Sequence, residues 1–112
     1  MIDSFRWLVS KITRRGKALW HYRRGMRHAN AKQYAEAIRA YSVAIAIPDG
    51  PADVTAMARY NRALVYASTG DEAAAIGDLE LVLAMPQRLE AIKTASRQRL
   101  HRMTHHVDRG RG

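Results

Sequence analysis

Apolar residues recur at steps of three and four near both ends of the chain, which is the spacing of one face of a helix. Near the N-terminus these positions are Ile2, Phe5, Leu8, Val9 and Ile12. Near the C-terminus they are Leu89, Ile92, Ser96, Leu100 and Met103. Basic residues fill the faces between them. The pattern predicts a basic amphipathic helix over 1–16 and a C-terminal helix over 87–103, followed by a flexible basic tail over 104–112.

The middle of the chain repeats itself at an offset of 38 residues. The identical pairs include Tyr22 and Tyr60, Arg24 and Arg62, Ala29 and Ala67, Ala35 and Ala73, Ala37 and Ala75, Ile38 and Ile76, Ala46 and Ala84, and Pro48 and Pro86. Four further positions are conservative exchanges, where Gly25 meets Ala63, Met26 meets Leu64, Tyr41 meets Leu79, and Ala44 meets Val82. Each copy is predicted to form two helices, 18–30 with 33–46 and 54–68 with 72–84.

Local signals mark where these helices begin and end. Gly70 suits the left-handed position that ends a helix, and Asp71 suits the cap that starts the next one. Pro48 and Pro86 follow the second helix of each copy and stop it. Asp53 is expected to cap the third helix. Gly16 is expected to separate the N-terminal helix from the first repeat.

Small residues at the crossing of each helix pair predict tight hairpins, with Gly25 and Ala63 on the first helices facing Ala37 and Ala75 on the second. With an aromatic, a further Ala and a closing Pro, these positions resemble the tetratricopeptide repeat, a family of 34-residue helix–turn–helix units. The first copy supplies Gly25, Tyr34, Ala37, Tyr41, Ala44 and Pro48, and the second supplies Ala63, Tyr66, Ala75, Leu79, Val82 and Pro86.

The resemblance implies an all-α protein of two antiparallel helical hairpins within 17–86, with repeats at 18–48 and 56–86. The C-terminal helix is expected to cap the second hairpin, because a repeat stack must cover its open ends. The N-terminal helix is expected to pack on the first hairpin for the same reason. The alternative for that helix is an anionic membrane surface, which basic amphipathic helices can bind.

Composition agrees with helices and adds a charge pattern. Apolar residues make up 47% of 112 residues, and the chain has no Cys and a net charge of +9. Residues 1–33 carry a net charge of +8, residues 34–86 a net charge of −4, and residues 87–112 a net charge of +5. Basic ends of this kind favour an acidic partner surface, nucleic acid or anionic lipid. Without a signal-like segment or disulfides, a cytoplasmic location is the expectation.

Motifs for catalysis are absent from the sequence, which has no phosphate-binding Gly-rich loop, no GxSxG and no HExxH. His101 and His105 are four residues apart, but no acid or Cys stands beside them as a further metal ligand. Solvated histidines are the simpler interpretation. The sequence therefore predicts a protein that is not an enzyme and needs no cofactor or metal.

In the tetratricopeptide family the first helix of each pair lines a concave groove that binds peptides or proteins. The resemblance therefore implies a groove for a peptide or protein segment, and the basic charge favours an acidic one. The adaptor is expected to be monomeric. Asn61 matches a position of the family's chaperone-tail clamp, but Tyr22 and Met26 replace its Lys and Asn, so chaperone-tail binding is not expected. The predicted groove residues are Tyr22, Arg23, Met26, Asn30, Tyr60, Asn61, Leu64, Lys93 and Arg97, with Leu19, Met57 and Ser68 beside them.

Two alternatives stay open at this point. The basic ends could bind nucleic acid or an anionic membrane surface, although no aromatic residues suited to base stacking are interleaved with the basic ones. The exposed ends of so short an array could instead pair two copies of the chain. For Leu19, Met57 and Leu64 taken singly, packing in the core is the favoured explanation of their apolar character.

Overall fold

A computed structural model describes the backbone of residues 2–111 and the side chains of residues 3–105. This part of the chain contains five helices and no strand, so the predicted all-α class is confirmed. The helices are α1 (Ile2–Asn30), α2 (Tyr34–Ala46), α3 (Ala52–Ser68), α4 (Glu72–Ala84) and α5 (Glu90–Arg111).

The helices form two layers. Helices α1 and α3 contact each other, and so do α3 and α5, so these three lie side by side. Helix α2 packs against α1 and α3, and helix α4 packs against α3 and α5. Every helix is therefore held by its neighbours in sequence, and α3 touches all of the other four.

The predicted signals at the α3–α4 turn are confirmed. Gly70 has a φ of 85°, a conformation that glycine adopts at little cost because it has no Cβ. The Asp71 carboxylate accepts a hydrogen bond of 3.1 Å from the backbone N–H of Ala74, which satisfies one of the free donors at the start of α4. Pro48 and Pro86 each follow the C-cap residue of a second helix, as expected.

Three local predictions were wrong. Gly16 does not interrupt α1, because one exposed Gly costs only about 1 kcal/mol against the strong helix formers around it. Asp53 does not cap α3, because Pro51 takes the cap position and Asp53 lies in the first helical turn. The segment from 104 continues α5 to Arg111 instead of forming a flexible tail, and Gly112 lies outside the described residues.

The N-terminal half of α1 does not pack on the first hairpin. Phe5, Val9 and Ile12 are 67%, 42% and 61% exposed, respectively. Two ion pairs fix this half at its base, because Arg14 lies 3.7 Å from Asp49 and Arg15 bonds both carboxylate oxygens of Asp53. The helix projects beyond these pairs, where no other described helix runs alongside it to cover its apolar face.

The first hairpin depends on a close approach between Gly25 and Tyr41. Tyr41 is only 1% exposed, and a Cβ placed on Gly25 would lie 2.5 Å from two carbon atoms of its ring. Burial raises the pKa of Tyr41 to about 12, so the phenol remains uncharged in the core. At the corresponding positions of the second hairpin, Ala63 packs in one cluster with Leu79. The smaller Leu leaves room for the methyl group that Tyr41 excludes.

A buried ion pair joins α3 to α4 within the second hairpin, and a hydrogen bond links it to the first hairpin. Arg62 on α3 donates hydrogen bonds of 2.8 and 2.6 Å to the two carboxylate oxygens of Asp78 on α4. The same guanidinium donates to Ser42 Oγ on α2 at 2.9 Å, and Ser42 donates to the Ile38 carbonyl. The side chains of Arg62 and Asp78 are 18% and 4% exposed, so each charge depends on the other for its compensation. The hydrogen bond to Asp78 raises the pKa of Arg62.

We expect Gly25→Ala to lower the free energy of unfolding by about 1–3 kcal/mol, because the new methyl group overlaps a rigid ring. Gly77→Ala is the control, since it is also within a helix and a Cβ there meets nothing within 4 Å. It should be neutral or stabilise by up to about 1 kcal/mol. The double variant Gly25→Ala/Tyr41→Leu recreates the pairing of the second hairpin and should be destabilised less than the two single effects combined. Denaturant unfolding of these three variants and of Tyr41→Leu gives the four free energies, and strict additivity would contradict the proposed contact.

We expect Asp78→Ala to destabilise the protein by about 3 kcal/mol, because it leaves the Arg62 guanidinium buried without a counter-charge. The double variant Arg62→Met/Asp78→Leu should recover most of that loss. Asp53→Ala, which removes an exposed pair, is the matched control and should cost no more than about 1 kcal/mol. Equal losses of stability for Asp78→Ala and Asp53→Ala in thermal melts would show that the buried Arg62–Asp78 pair contributes no more than the exposed pair.

Candidate partner-binding groove

The nine predicted groove residues all lie on the layer formed by α1, α3 and α5. Tyr22, Arg23, Met26 and Asn30 are on α1, Tyr60, Asn61 and Leu64 are on α3, and Lys93 and Arg97 are on α5. The structure therefore brings three segments that are distant in sequence onto neighbouring helices. Their side chains differ in exposure and in whether their polar groups are already hydrogen-bonded within the protein.

Tyr22 and Asn61 meet at the α1–α3 contact. The Asn61 amide nitrogen donates one hydrogen bond to the Tyr22 hydroxyl at 3.2 Å and another to the Met57 carbonyl at 2.8 Å. The Tyr22 ring packs beside Tyr41, and burial raises the pKa of Tyr22, opposed in part by the bond from Asn61. Both amide hydrogens are thus used within the protein. The Asn61 amide oxygen accepts no hydrogen bond from a described residue and can accept one from a ligand N–H.

Tyr60 and Leu64 contribute mainly to packing. Tyr60 lies against the buried cluster of Ala63, Ala75 and Leu79, to which α5 adds Leu100. Leu64 is half-buried on the same helix. These two side chains form the floor of the layer between α1 and α5.

The free polar and apolar groups stand around this floor. Arg23, Asn30 and Arg97 are exposed, and Met26 is 38% exposed. Among the described side chains, no acid forms an ion pair with Arg23 or Arg97. Lys93 is different, because its ammonium group donates to the Met85 carbonyl at 2.5 Å and so satisfies the end of α4.

Charge is segregated between the two layers. Helices α1, α3 and α5 contain sixteen of the nineteen Lys and Arg residues and four acids. Helices α2 and α4 contain one Arg and four acids. The acidic middle of the sequence is therefore not one acidic surface, because its acids lie mostly on the α2–α4 layer or in the connecting turns. The layer with the groove residues is the strongly basic one.

A cavity of about 480 Å³ lies at the projecting end of this basic layer. Leu8 and Ile12 of α1 form one wall, and residues 49–52 of the α2–α3 connection form the other, with Gln87 at the edge. The Arg15–Asp53 pair borders it, and the hydrogen bond from Arg15 lowers the pKa of Asp53. Sequence reasoning missed this cavity, because it depends on α1 running unbroken past Gly16.

Metal sites and membrane-spanning segments are further possibilities for the described residues. None of them form a group of three or more His, Asp or Glu side chains close enough to hold a metal ion, and the rings of His101 and His105 lie 3.8 Å apart. No helix in that part of the chain has both the length and the apolar character needed to cross a bilayer. No protein-family model, curated protein or solved structure matches the sequence.

Proposed function

We propose that this chain is a tetratricopeptide-type interaction module, without catalytic activity or a cofactor, that binds an acidic peptide or protein segment. The observation that carries the proposal is the segregation of charge onto the α1–α3–α5 layer. A partner chain with Asp or Glu side chains is attracted to that layer and repelled by the other. We propose in addition that the protein is monomeric and located in the cytoplasm.

Two features support the tetratricopeptide assignment. The first is the repeat at 38 residues, in which Gly25 with Tyr41 and Ala63 with Leu79 make corresponding contacts between the helices of each pair. The second is the order of contacts, in which the first helix of each pair and the final helix lie side by side. This is the arrangement in which a repeat protein offers a groove.

The proposed binding mode uses each exposed group for a separate purpose. Arg23 on one side and Arg97 on the other bind carboxylates, since a guanidinium offers paired donors that match a carboxylate. The Asn61 amide oxygen accepts a backbone N–H from the bound segment. Met26 and the floor around Tyr60 supply apolar area, and a flexible thioether adapts to different side chains.

Peptide selection with the full chain as bait tests the proposal. Displayed random peptides should become enriched in Asp and Glu, and the selected peptides should bind less tightly as salt increases. Arg23→Glu/Arg97→Glu should weaken the binding of a selected peptide by roughly tenfold or more, since it removes two charge-assisted contacts and introduces repulsion.

Lys32→Glu/Arg88→Glu is the matched control. It makes the same change in net charge at two exposed positions in the connections between helices, outside the nine groove residues. Binding by the control should stay within about threefold of the wild type, because distant exposed charges are largely screened at physiological salt. Equal losses for both double variants would mean that general charge, and not this groove, attracts the peptide. Selection without enrichment in acids would contradict the proposal itself.

A further inference from the structure

Helix α1 carries an exposed stripe that shares only Arg23 with the nine groove residues. Its positions follow each other at steps of three and four, so they share one face of the helix. Phe5, Val9, Ile12 and Trp20 on it are 67%, 42%, 61% and 55% exposed. The α1 stripe consists of Phe5, Val9, Ile12, Gly16, Trp20, Arg23 and Arg27, all of them exposed.

Most of this stripe lies on the side of α1 opposite α2 and α3, and Ile12 at its edge also lines the cavity beside residues 49–52. The side that packs on α2 and α3 contains Ala18 and Gly25, which are buried, and Tyr22, which is half-buried. These positions follow the stripe positions Gly16, Arg23 and Trp20 by two residues, which is slightly more than half a turn of a helix. The stripe therefore forms the outer face of the first helix in the array, about 33 Å long from Phe5 to Arg27.

Positive charge borders the stripe along one edge. Arg6, Lys17 and Arg24 each follow a stripe position by one residue, which places them on the same flank. Neither Arg6 nor Lys17 forms an ion pair with any residue whose side chain is described. The pairs with Asp49 and Asp53 instead neutralise Arg14 and Arg15, which lie on other sides of the helix.

We propose that the α1 stripe binds the surface of an anionic lipid bilayer, with α1 lying parallel to the membrane plane. Phe5, Val9, Ile12 and Trp20 insert at the level of the headgroups, while the basic flank and Arg27 contact lipid phosphates. Charge complementarity supports this occupant, because residues 1–33 carry nine Lys and Arg and one acid. The shape agrees, since the convex face of a single straight helix fits a plane better than it fits a groove.

A second copy of the chain fits the stripe less well. Pairing two α1 helices along their stripes would bring together two segments with a net charge of +8 each. A second copy that covered the apolar part of the stripe would also bring Arg23 and Arg27, at one end, and Arg6 and Lys17, at the flank, close to basic residues of its own. Bilayer phosphates neutralise these groups, whereas a second copy repeats them.

Vesicle sedimentation with the full chain tests the proposal. The protein should sediment with vesicles of phosphatidylcholine mixed with phosphatidylserine and remain in solution with phosphatidylcholine alone. Phe5→Ser/Val9→Ser should weaken partitioning into the mixed vesicles by roughly tenfold, because two inserted apolar side chains are lost. Val43→Ser/Leu81→Ser is the matched control. It removes two apolar side chains that are 45% and 48% exposed on the other layer, and it should leave partitioning unchanged.

The two Trp residues of the chain report which face touches the membrane. Trp20 belongs to the α1 stripe, whereas Trp7 follows Phe5 by two residues and points to the opposite side, with the Lys11 ammonium 4.9 Å from its ring centre. In Trp7→Phe, the remaining Trp20 should shift its emission to shorter wavelength on mixed vesicles and be quenched by brominated lipid. In Trp20→Phe, the remaining Trp7 should be quenched less. Circular dichroism of every variant checks that the helices are intact.

Three outcomes would overturn the proposal. The first is no sedimentation with mixed vesicles even at low salt. This is the result expected if the stripe binds an acidic protein instead of lipid. The second is the same loss for Phe5→Ser/Val9→Ser and for Val43→Ser/Leu81→Ser. The third is stronger quenching of Trp7 than of Trp20. Arg97 lies on α5, outside the stripe. If Arg97→Glu weakens peptide binding but leaves vesicle binding unchanged, the two surfaces act separately.

Discussion

The hydrogen bonds of Arg62 limit how α2, α3 and α4 can be arranged. A guanidinium that has left water needs a carboxylate and further acceptors close by, and Arg62 obtains them from α4 and from Ser42 on α2. Apolar contacts tolerate sliding and rotation, whereas a bidentate bond fixes both distance and angle. Helix α3 is therefore held in one orientation relative to α2 and α4, and it carries Asn61, Tyr60 and Leu64 toward α1 and α5. The floor of the candidate groove depends on that orientation.

The two hairpins close the contact between their helices with different pairs of residues. Tyr41 fills the first core and requires Gly25, while Leu79 fills the second and tolerates Ala63. The ion pair marks a second difference. Arg24 corresponds to Arg62 in the repeat, but Ala40 stands where the second copy has Asp78. Arg24 therefore stays exposed beside Trp20, with its guanidinium carbon 5.6 Å from the Trp20 ring centre, and contributes to the charge of the outer face.

The sequence was sufficient for features that depend on local chemistry. The helix limits near Gly70, Asp71, Pro48 and Pro86 follow from backbone conformation and capping, which a short window of residues determines. Predictions failed where distant residues compete. Pro51 displaced Asp53 from the cap, and Asp53 bonds Arg15 instead, a residue 38 positions away. Asp78 could have been noticed as an acid within an otherwise apolar stretch, but its partner was not identifiable without knowing how α3 faces α4.

Charge illustrates the same limit on a larger scale, because a net charge summed along the sequence assumes that neighbours in the chain share a surface. In an alternating stack they do not, since consecutive helices belong to opposite layers. The segment 34–86 contributes acids to α2 and α4, while its Arg59 and Arg62 lie on α3. Helix α1 is special in this arrangement because it ends the stack and has two exposed sides. One borders the candidate groove beside α3, and the other carries the exposed stripe from Phe5 to Arg27, with Arg23 common to both.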